Sequence, residues 1–254
     1  MKVSINKSLL IFVSALFCSS LLYGKSYLGT KAPTEPKAVG DIVFNDGSAT
    51  PYSEDLELST AQTSAVIAVI FYVGTDCSDD GSNRILGIGM KTSQKYLRWC
   101  EKKASAAFEY IETIYDTTKN GRQNFEKISE WLKEHGKVDD TKDEKKYPAF
   151  YFAKNYANQA KNLGKFNTDW YLPSKVEMLK AYEQFNTIKS VCELCKVPVI
   201  QGHCWTSTQK FQEDFPGTLA WKCYFYSEEN MADICIFDGN SKYCAWLVCA
   251  IREF

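Results

Sequence analysis

The chain alternates between unbroken apolar runs and stretches where apolar residues return every third or fourth position. Val39-Gly40-Asp41-Ile42-Val43-Phe44 predicts a first strand, followed by an Asn45-Asp46-Gly47 turn whose glycine accepts a positive φ. Residues 65–73 (AVIAVIFYV) are apolar and β-branched without alternation, the pattern of a strand buried on both faces. Residues 84–90 (RILGIGM) predict a third strand, after an acidic, glycine-bearing loop over 74–83. The period then changes. Phe125, Ile128, Trp131 and Leu132 recur at helical spacing between Asn124 and His135, with Gly136 as a stop signal. Residues 137–146 are charged and predict a solvated loop, and residues 149–158 predict another short helix. Ser174 and Glu177 form a Ser-x-x-Glu capping box, after which Val176, Leu179, Tyr182 and Phe185 repeat on one face. From Cys204 onward the texture is β, with strands expected over 219–226, 231–237 and 243–251. Asp238-Gly239-Asn240 is expected to be the hairpin turn between the last two. Strands, then helices, then strands predict an α+β fold: a mostly antiparallel sheet with flanking helices.

The first residues bear on location. Lys2 and Lys7 give a positive start to a stretch, Leu9 to Leu22, that is apolar or small apart from serines and Cys18. It falls short of the about 20 apolar residues of a membrane span and has the shape of a signal peptide, with Gly24 suited to the position before the cut. The chain is therefore expected to be exported to the periplasm, the outer surface or the medium. Residues 1–24 would be the signal, 25–38 (with Pro33 and Pro36) a flexible spacer, and 39–254 a single domain. Membrane attachment is left to two alternatives, an uncleaved signal or a lipid on Cys18; Phe17, before Cys18, is larger than lipidation prefers.

Composition narrows the classes. Thirty basic and thirty-one acidic residues are interspersed and the net charge is −1. That excludes the broad basic face of a nucleic-acid binder and offers sulfated glycans no overall attraction. An aromatic content of 14% excludes a disordered chain. Nine of the ten cysteines follow Gly24, an odd number that leaves at least one thiol unpaired. Export permits disulfides, while Cys235-Ile236-Phe237 and Val248-Cys249-Ala250 place thiols in apolar strand patterns. One or two disulfides and several core thiols are expected.

Asp169-Trp170-Tyr171-Leu172-Pro173-Ser174-Lys175-Val176-Glu177-Met178-Leu179 resembles the W-x-L-P-[ST]-x-x-E-[LM] core of the Lcl C-terminal domain family, which groups with the major paralogous domain proteins of bacterial surfaces. Cys204-Trp205-Thr206-Ser207-Thr208 resembles its W-[ST]-S segment, and Ala250-Ile251-Arg252-Glu253-Phe254 its terminal V-R-x-F strand. These marks fall within residues 147–254. The resemblance implies a C-type-lectin-like fold, related to the formylglycine-generating-enzyme type, with paired N- and C-terminal strands and long loops gathered on one face. It also implies an adhesin-like role toward glycans or host matrix. In physical terms, Trp170 and Trp205 are expected as core anchors, Leu172-Pro173 as the helix entry, and Arg252 with Glu253 as a partly exposed pair of little energetic weight.

Cys192-x-x-Cys195 with His203-Cys204 is the strongest chemical-looking cluster. It would suit a tetrahedral zinc site, but adjacent residues rarely reach one metal, and an exported setting favours a Cys192–Cys195 or Cys195–Cys204 disulfide. Calcium has less support: Asp76, Asp79 and Asp80 surround Gly81 without EF-hand spacing, and the sugar-binding lectin triplets are absent, so the loop is expected to be solvated. No bound cofactor is expected. A non-catalytic chain is expected too, with only His135 and His203 as histidines and no Gly-x-Ser-x-Gly elbow, P-loop or dinucleotide fingerprint. The candidate contact surface is β-aromatic. If Trp221, Cys223 and Phe225 face inward, then Lys222, Tyr224 and Tyr226 face out, flanked by a loop over 209–214 beginning at Gln209. Three functions stay open: a surface adhesin or ligand-binding module for an unknown glycan or protein, an envelope structural or assembly protein, and a zinc or redox protein centred on Cys192, Cys195 and His203.

Overall fold

The unbroken apolar run over 65–73 lies, from residue 66 on, in a strand with a core on each side. In this computed structural model, which describes residues 26–116, 118–226 and 237–254, the elements in chain order are β1 (Asp41–Phe44), β2 (Ala49–Pro51), α1 (Thr60–Ala65), β3 (Val66–Gly74), β4 (Arg84–Thr92), β5 (Leu97–Arg98), α2 (Asn124–Glu134), α3 (Pro148–Lys154), α4 (Lys175–Glu183), α5 (Phe185–Leu194), β6 (Gly202–Lys210), β7 (Leu219–Phe225), β8 (Phe237–Ser241), β9 (Ala245–Trp246) and β10 (Cys249–Glu253). The signal segment with Cys18 and Gly24, the cysteine Cys235 and residues 231–236 of an expected strand lie outside the described residues.

The named strands pair antiparallel throughout, in a five-stranded sheet of order β10-β4-β3-β1-β2, a three-stranded sheet β6-β7-β8 and a two-stranded ribbon β5-β9. The chain is thus α+β with mostly antiparallel sheets. Alternation explains the two cores. Ala68 and Ile70 of β3 join Val43, α2, α3 and the tryptophans Trp99, Trp170 and Trp205; Val69 and Phe71 join Ile42, Phe44, α4, α5 and the inner face of the three-stranded sheet. No helix of the described residues is long and apolar enough to cross a membrane.

Several expectations need correction. The terminal strands share a sheet but are not neighbours: β10 pairs with β4, β1 pairs with β3, and β3 and β4 stand between them. Residues 26–38 are not a loose spacer. Leu28, Gly29 and Thr30 donate backbone N–H groups to Asp46, Ser48 and Thr50, Lys31 bridges to Ala49, and Lys31 Nζ pairs with the buried Asp41 at 2.7 Å. The expected turn at Asp238-Gly239-Asn240 is strand β8, paired with β7. Gly239 stands opposite Trp221 in that pairing, with the Lys210 side chain crossing over it. The expected strand over 243–251 is broken into β9 and β10.

The buried face of α4 is also one residue away from the expected one. Leu179 is exposed and Val176 and Tyr182 are half-buried, while Glu177, Met178 and Ala181 are buried. The cause is Glu177. Its capping box with Ser174 forms as expected, but the same carboxylate meets Arg84 Nη1 at 2.8 Å and accepts from Tyr171 Oη at 2.7 Å and from the backbone N–H of Gly121 at 3.1 Å. Only glycine fits at position 121, since a Cβ would stand 2.5 Å from the Ser174 nitrogen. Burial pushes the Glu177 carboxyl up against the pull of Arg84; burial also opposes the Arg84 charge, yet the facing oxygens of Tyr171, Glu177 and Glu253 hold it above its usual value. A charge buried this fully survives only when paired and hydrogen-bonded.

Candidate functional site

The three-stranded sheet builds the site. His203 on β6 stands opposite Tyr224 on β7, and Trp205 opposite Lys222, so the period of two places all four on one face and sends Cys204 and Cys223 to the other. That face is closed at one end by β9. There Trp205 is fully buried, and Lys222 is 4% exposed, with its ammonium 4.9 Å from the centre of the Trp246 ring. Toward the other end the face carries a ladder of half-buried rings. Trp246 meets His203 edge-on at 4.9 Å, His203 stacks on Tyr224 at 4.3 Å, and Tyr224 stacks on Tyr226 at 5.5 Å. The exposed Tyr96 adds a ring 6.4 Å from Trp246. Among the described residues, the buried Trp246 Nε1 has no hydrogen-bond partner.

Lys222 fixes the electrostatics of the ladder. Its ammonium lies 3.1 Å from His203 Nδ1 and 3.3 Å from the Asp238 carboxylate of β8. Burial, and then the Lys222 charge, hold His203 below its usual pKa, so the ring is neutral at pH 7 and its Nδ1 accepts from the lysine. The π-rich faces of Tyr224 and Tyr226 then extend the row of rings beyond one paired cation. Such a surface can stack on a sugar ring or on a planar protein side chain.

Of the expected contact residues, the structure keeps Tyr224 and Tyr226 on one half-buried face and removes two others. Lys222 does not point to solvent, because Trp246 covers that end of the face. Gln209 is fully buried: its Oε1 accepts from the Ile111 N–H at 2.9 Å and its Nε2 donates to the Glu109 carbonyl. Trp221, expected inward, is half-buried, with Lys175 Nζ 3.6 Å from its ring centre and Lys210 Nζ 4.7 Å from it. Trp170 and Trp205 are core anchors, donating their ring N–H groups to the carbonyls of Phe166 and Leu97. Leu172 is buried below the turn into α4, and the Pro173 carbonyl accepts from the Ser207 N–H. Arg252 and Glu253 do not pair with each other. Adjacent strand residues point apart: Arg252 reaches Asp169 and the Thr168 carbonyl, and Glu253 reaches Arg84 and Arg122.

The cysteine cluster does not assemble. Cys192 and Cys195 are buried at the end of α5, Cys204 faces Cys249 inside the core, and His203 turns to the opposite face of β6. Among the described residues no group of three His, Cys, Asp or Glu side chains could hold a metal ion, and all eight described cysteines are free thiols. The expected Cys192–Cys195 or Cys195–Cys204 bridge is therefore absent among them. Burial pushes the Cys192 thiol up to about 12 and Cys195 to about 11, so both are protonated, poor nucleophiles at neutral pH. In the acidic loop, Asp80 binds the hydroxyl of Ser78 and the backbone of Ser82, and Asp79 lies 3.8 Å from Lys127.

Sequence reasoning missed His203 as a ladder member, having grouped it with the cysteines. The signal was present: a strand residue next to Cys204 must face away from it. Also missed was Lys242. It is buried on the Trp99 ring, donates to the carbonyls of Ala106 and Glu109, and is lowered by burial to about 7.

No protein-family model and no curated protein matches the chain. Among solved structures it is similar to a fimbrial protein from Bacteroides ovatus, at 12% identity and a TM-score of 0.53 over 86% of this chain and 49% of that one. This chain spans about half the length of that neighbour. At such identity the likeness is one of fold.

Proposed function

We propose that the chain is an exported, non-catalytic binding module of the bacterial surface that engages a glycan or protein through the His203–Tyr224–Tyr226 ladder. The observation that carries this reading is the row of stacked, half-buried rings on one face of the three-stranded sheet. Aromatic groups already fixed by packing lose little conformational freedom when a ligand stacks on them. The protonated, buried thiols and the neutral, lysine-bound His203 supply no activated nucleophile, which supports the non-catalytic reading. Membership of a lectin-like Lcl family is part of the proposal. Its support is that the Trp170–Glu177 motif builds a buried junction between β4, α4 and the last strand.

A second reading, an envelope or appendage subunit, is favoured by the fimbrial neighbour, whose fold this chain shares. Two experiments separate them. On a glycan and host-matrix array the purified protein is expected to bind a discrete set of ligands. A pull-down from bacterial envelope that captures one stoichiometric partner, with a blank array, would instead select the assembly role.

A further inference from the structure

The outer side of β10 carries one more backbone rung. Tyr171 donates its N–H to the Ile251 carbonyl at 3.0 Å, and its own carbonyl accepts from the Ile251 N–H at 3.1 Å. Residues 170–172 therefore lie as a short extra strand at the edge of the five-stranded sheet. In an extended chain the neighbours of a paired residue turn their backbone groups the other way. The N–H and C=O groups of Trp170 and Leu172 thus point away from β10, and among the described residues they have no hydrogen-bond partner. Both residues are buried, at 2% exposure. Backbone donors and acceptors at buried positions are nearly always paired, so this edge is a ladder with one side missing.

The edge borders a cleft of about 660 Å³, walled on the other side by the start of α2 and the end of α3. That volume lies in the range of ligand sites. Its apolar lining is Phe125 and Phe150, stacked at 4.9 Å, with Trp170 and Leu172. Its charges cancel: Arg122 pairs with Asp169 and Glu253, and Lys154 with Glu126. What remains is amide chemistry. Gln123, Asn158 and Asn167 line the cleft, and among the described residues their side chains have no hydrogen-bond partner. A side-chain amide offers both donors and an acceptor, the complement of a peptide group without net charge. Because the edge is recessed between the helices, a single extended chain reaches it and the sheet edge of a second folded copy does not.

We infer that this cleft binds an extended, uncharged segment of a partner protein, which joins the edge at Trp170 and Leu172 as an added strand and seats an apolar side chain on Phe125 and Phe150. The site is separate from the aromatic ladder and stands or falls without it. The test is a library of acetylated, amidated hexapeptides in which Thr alternates with Val, Leu or Phe, screened against the purified protein by fluorescence anisotropy. Members of the library are expected to bind, and the amide protons of Trp170 and Leu172 to move downfield in NMR spectra as they gain acceptors. N-methylation of the best hexapeptide is expected to weaken binding roughly tenfold at the residues that pair with the edge and little at those between them. Docking through side chains alone would give no such alternation. The double variant Asn158→Ala, Asn167→Ala is expected to lose several-fold in affinity with Tm unchanged, and Tyr224→Ala with Tyr226→Ala to lose none. A library without a binder, equal tolerance of the N-methyl group at every residue, unmoved Trp170 and Leu172 amide protons, maltohexaose bound as tightly as the best peptide, or a dimer closed through this edge would each overturn the inference.

Discussion

Lys242 and Lys222 show how differently this fold treats two buried lysines. Lys222 keeps Asp238 and the neutral His203 beside it, whereas Lys242 meets backbone carbonyls and the Trp99 ring. Burial lowers Lys242 from its usual 10.5 to about 7. Between those values the unfolded chain binds the proton and the folded one does not, so stability rises with pH across that window and the gain is absent below it. Wild type should therefore gain on Lys242→Met by on the order of 2 kcal/mol between pH 7 and 9.5, read from urea unfolding at each pH. A constant difference between the two proteins would show that Lys242 keeps its usual pKa. None of this is legible in the sequence. Ser241-Lys242-Tyr243 resembles any surface turn, because burial of one side chain depends on elements more than a hundred residues away.

At the scale of elements, the patterns that survive folding are those whose cause is local. The capping box at Ser174 forms, and α2 and β3 end close to where the periodicity places them. What fails depends on a distant partner. The face of α4 is turned by the Arg84–Glu177 pair, joining residues 93 positions apart, and the Asp238-Gly239-Asn240 segment is a strand because it pairs with β7. The two roles of Glu177 can be separated by mutation. Ser174→Ala removes the cap and the hydroxyl's bond to the Lys119 carbonyl, leaves the Arg84–Glu177 pair in place, and should cost about 1–2 kcal/mol in urea unfolding. Glu177→Ala leaves Arg84 buried and unpaired and should cost about 3–5 kcal/mol. Equal losses would mean that the ion pair does not position the helix.

At the scale of the whole molecule, the fold class was legible and the strand order was not. Alternation identifies which strands have two buried faces, but nothing along the chain says that β4 and β3 separate β10 from β1. The site divides the same way. Tyr224 and Tyr226 share a face by period alone, whereas their neighbours His203 and Trp246 arrive from β6 and β9 through register that only the folded sheet reveals. Gln209 looked like a loop residue for the same reason: its partners, Ile111 and Glu109, lie about a hundred residues earlier. If the ladder is the contact surface, its two tyrosines carry the binding energy and the sheet beneath them does not need them. The most direct measurement is the affinity of wild type and of the Tyr224→Ala, Tyr226→Ala variant for the strongest ligand found on the array, with Tm recorded for both. A loss of at least tenfold with Tm within a few degrees is the expected result, since truncated aromatic anchors commonly cost about 2 kcal/mol or more. Unchanged affinity in the variant would place recognition elsewhere on the molecule and contradict the proposed role of the ladder.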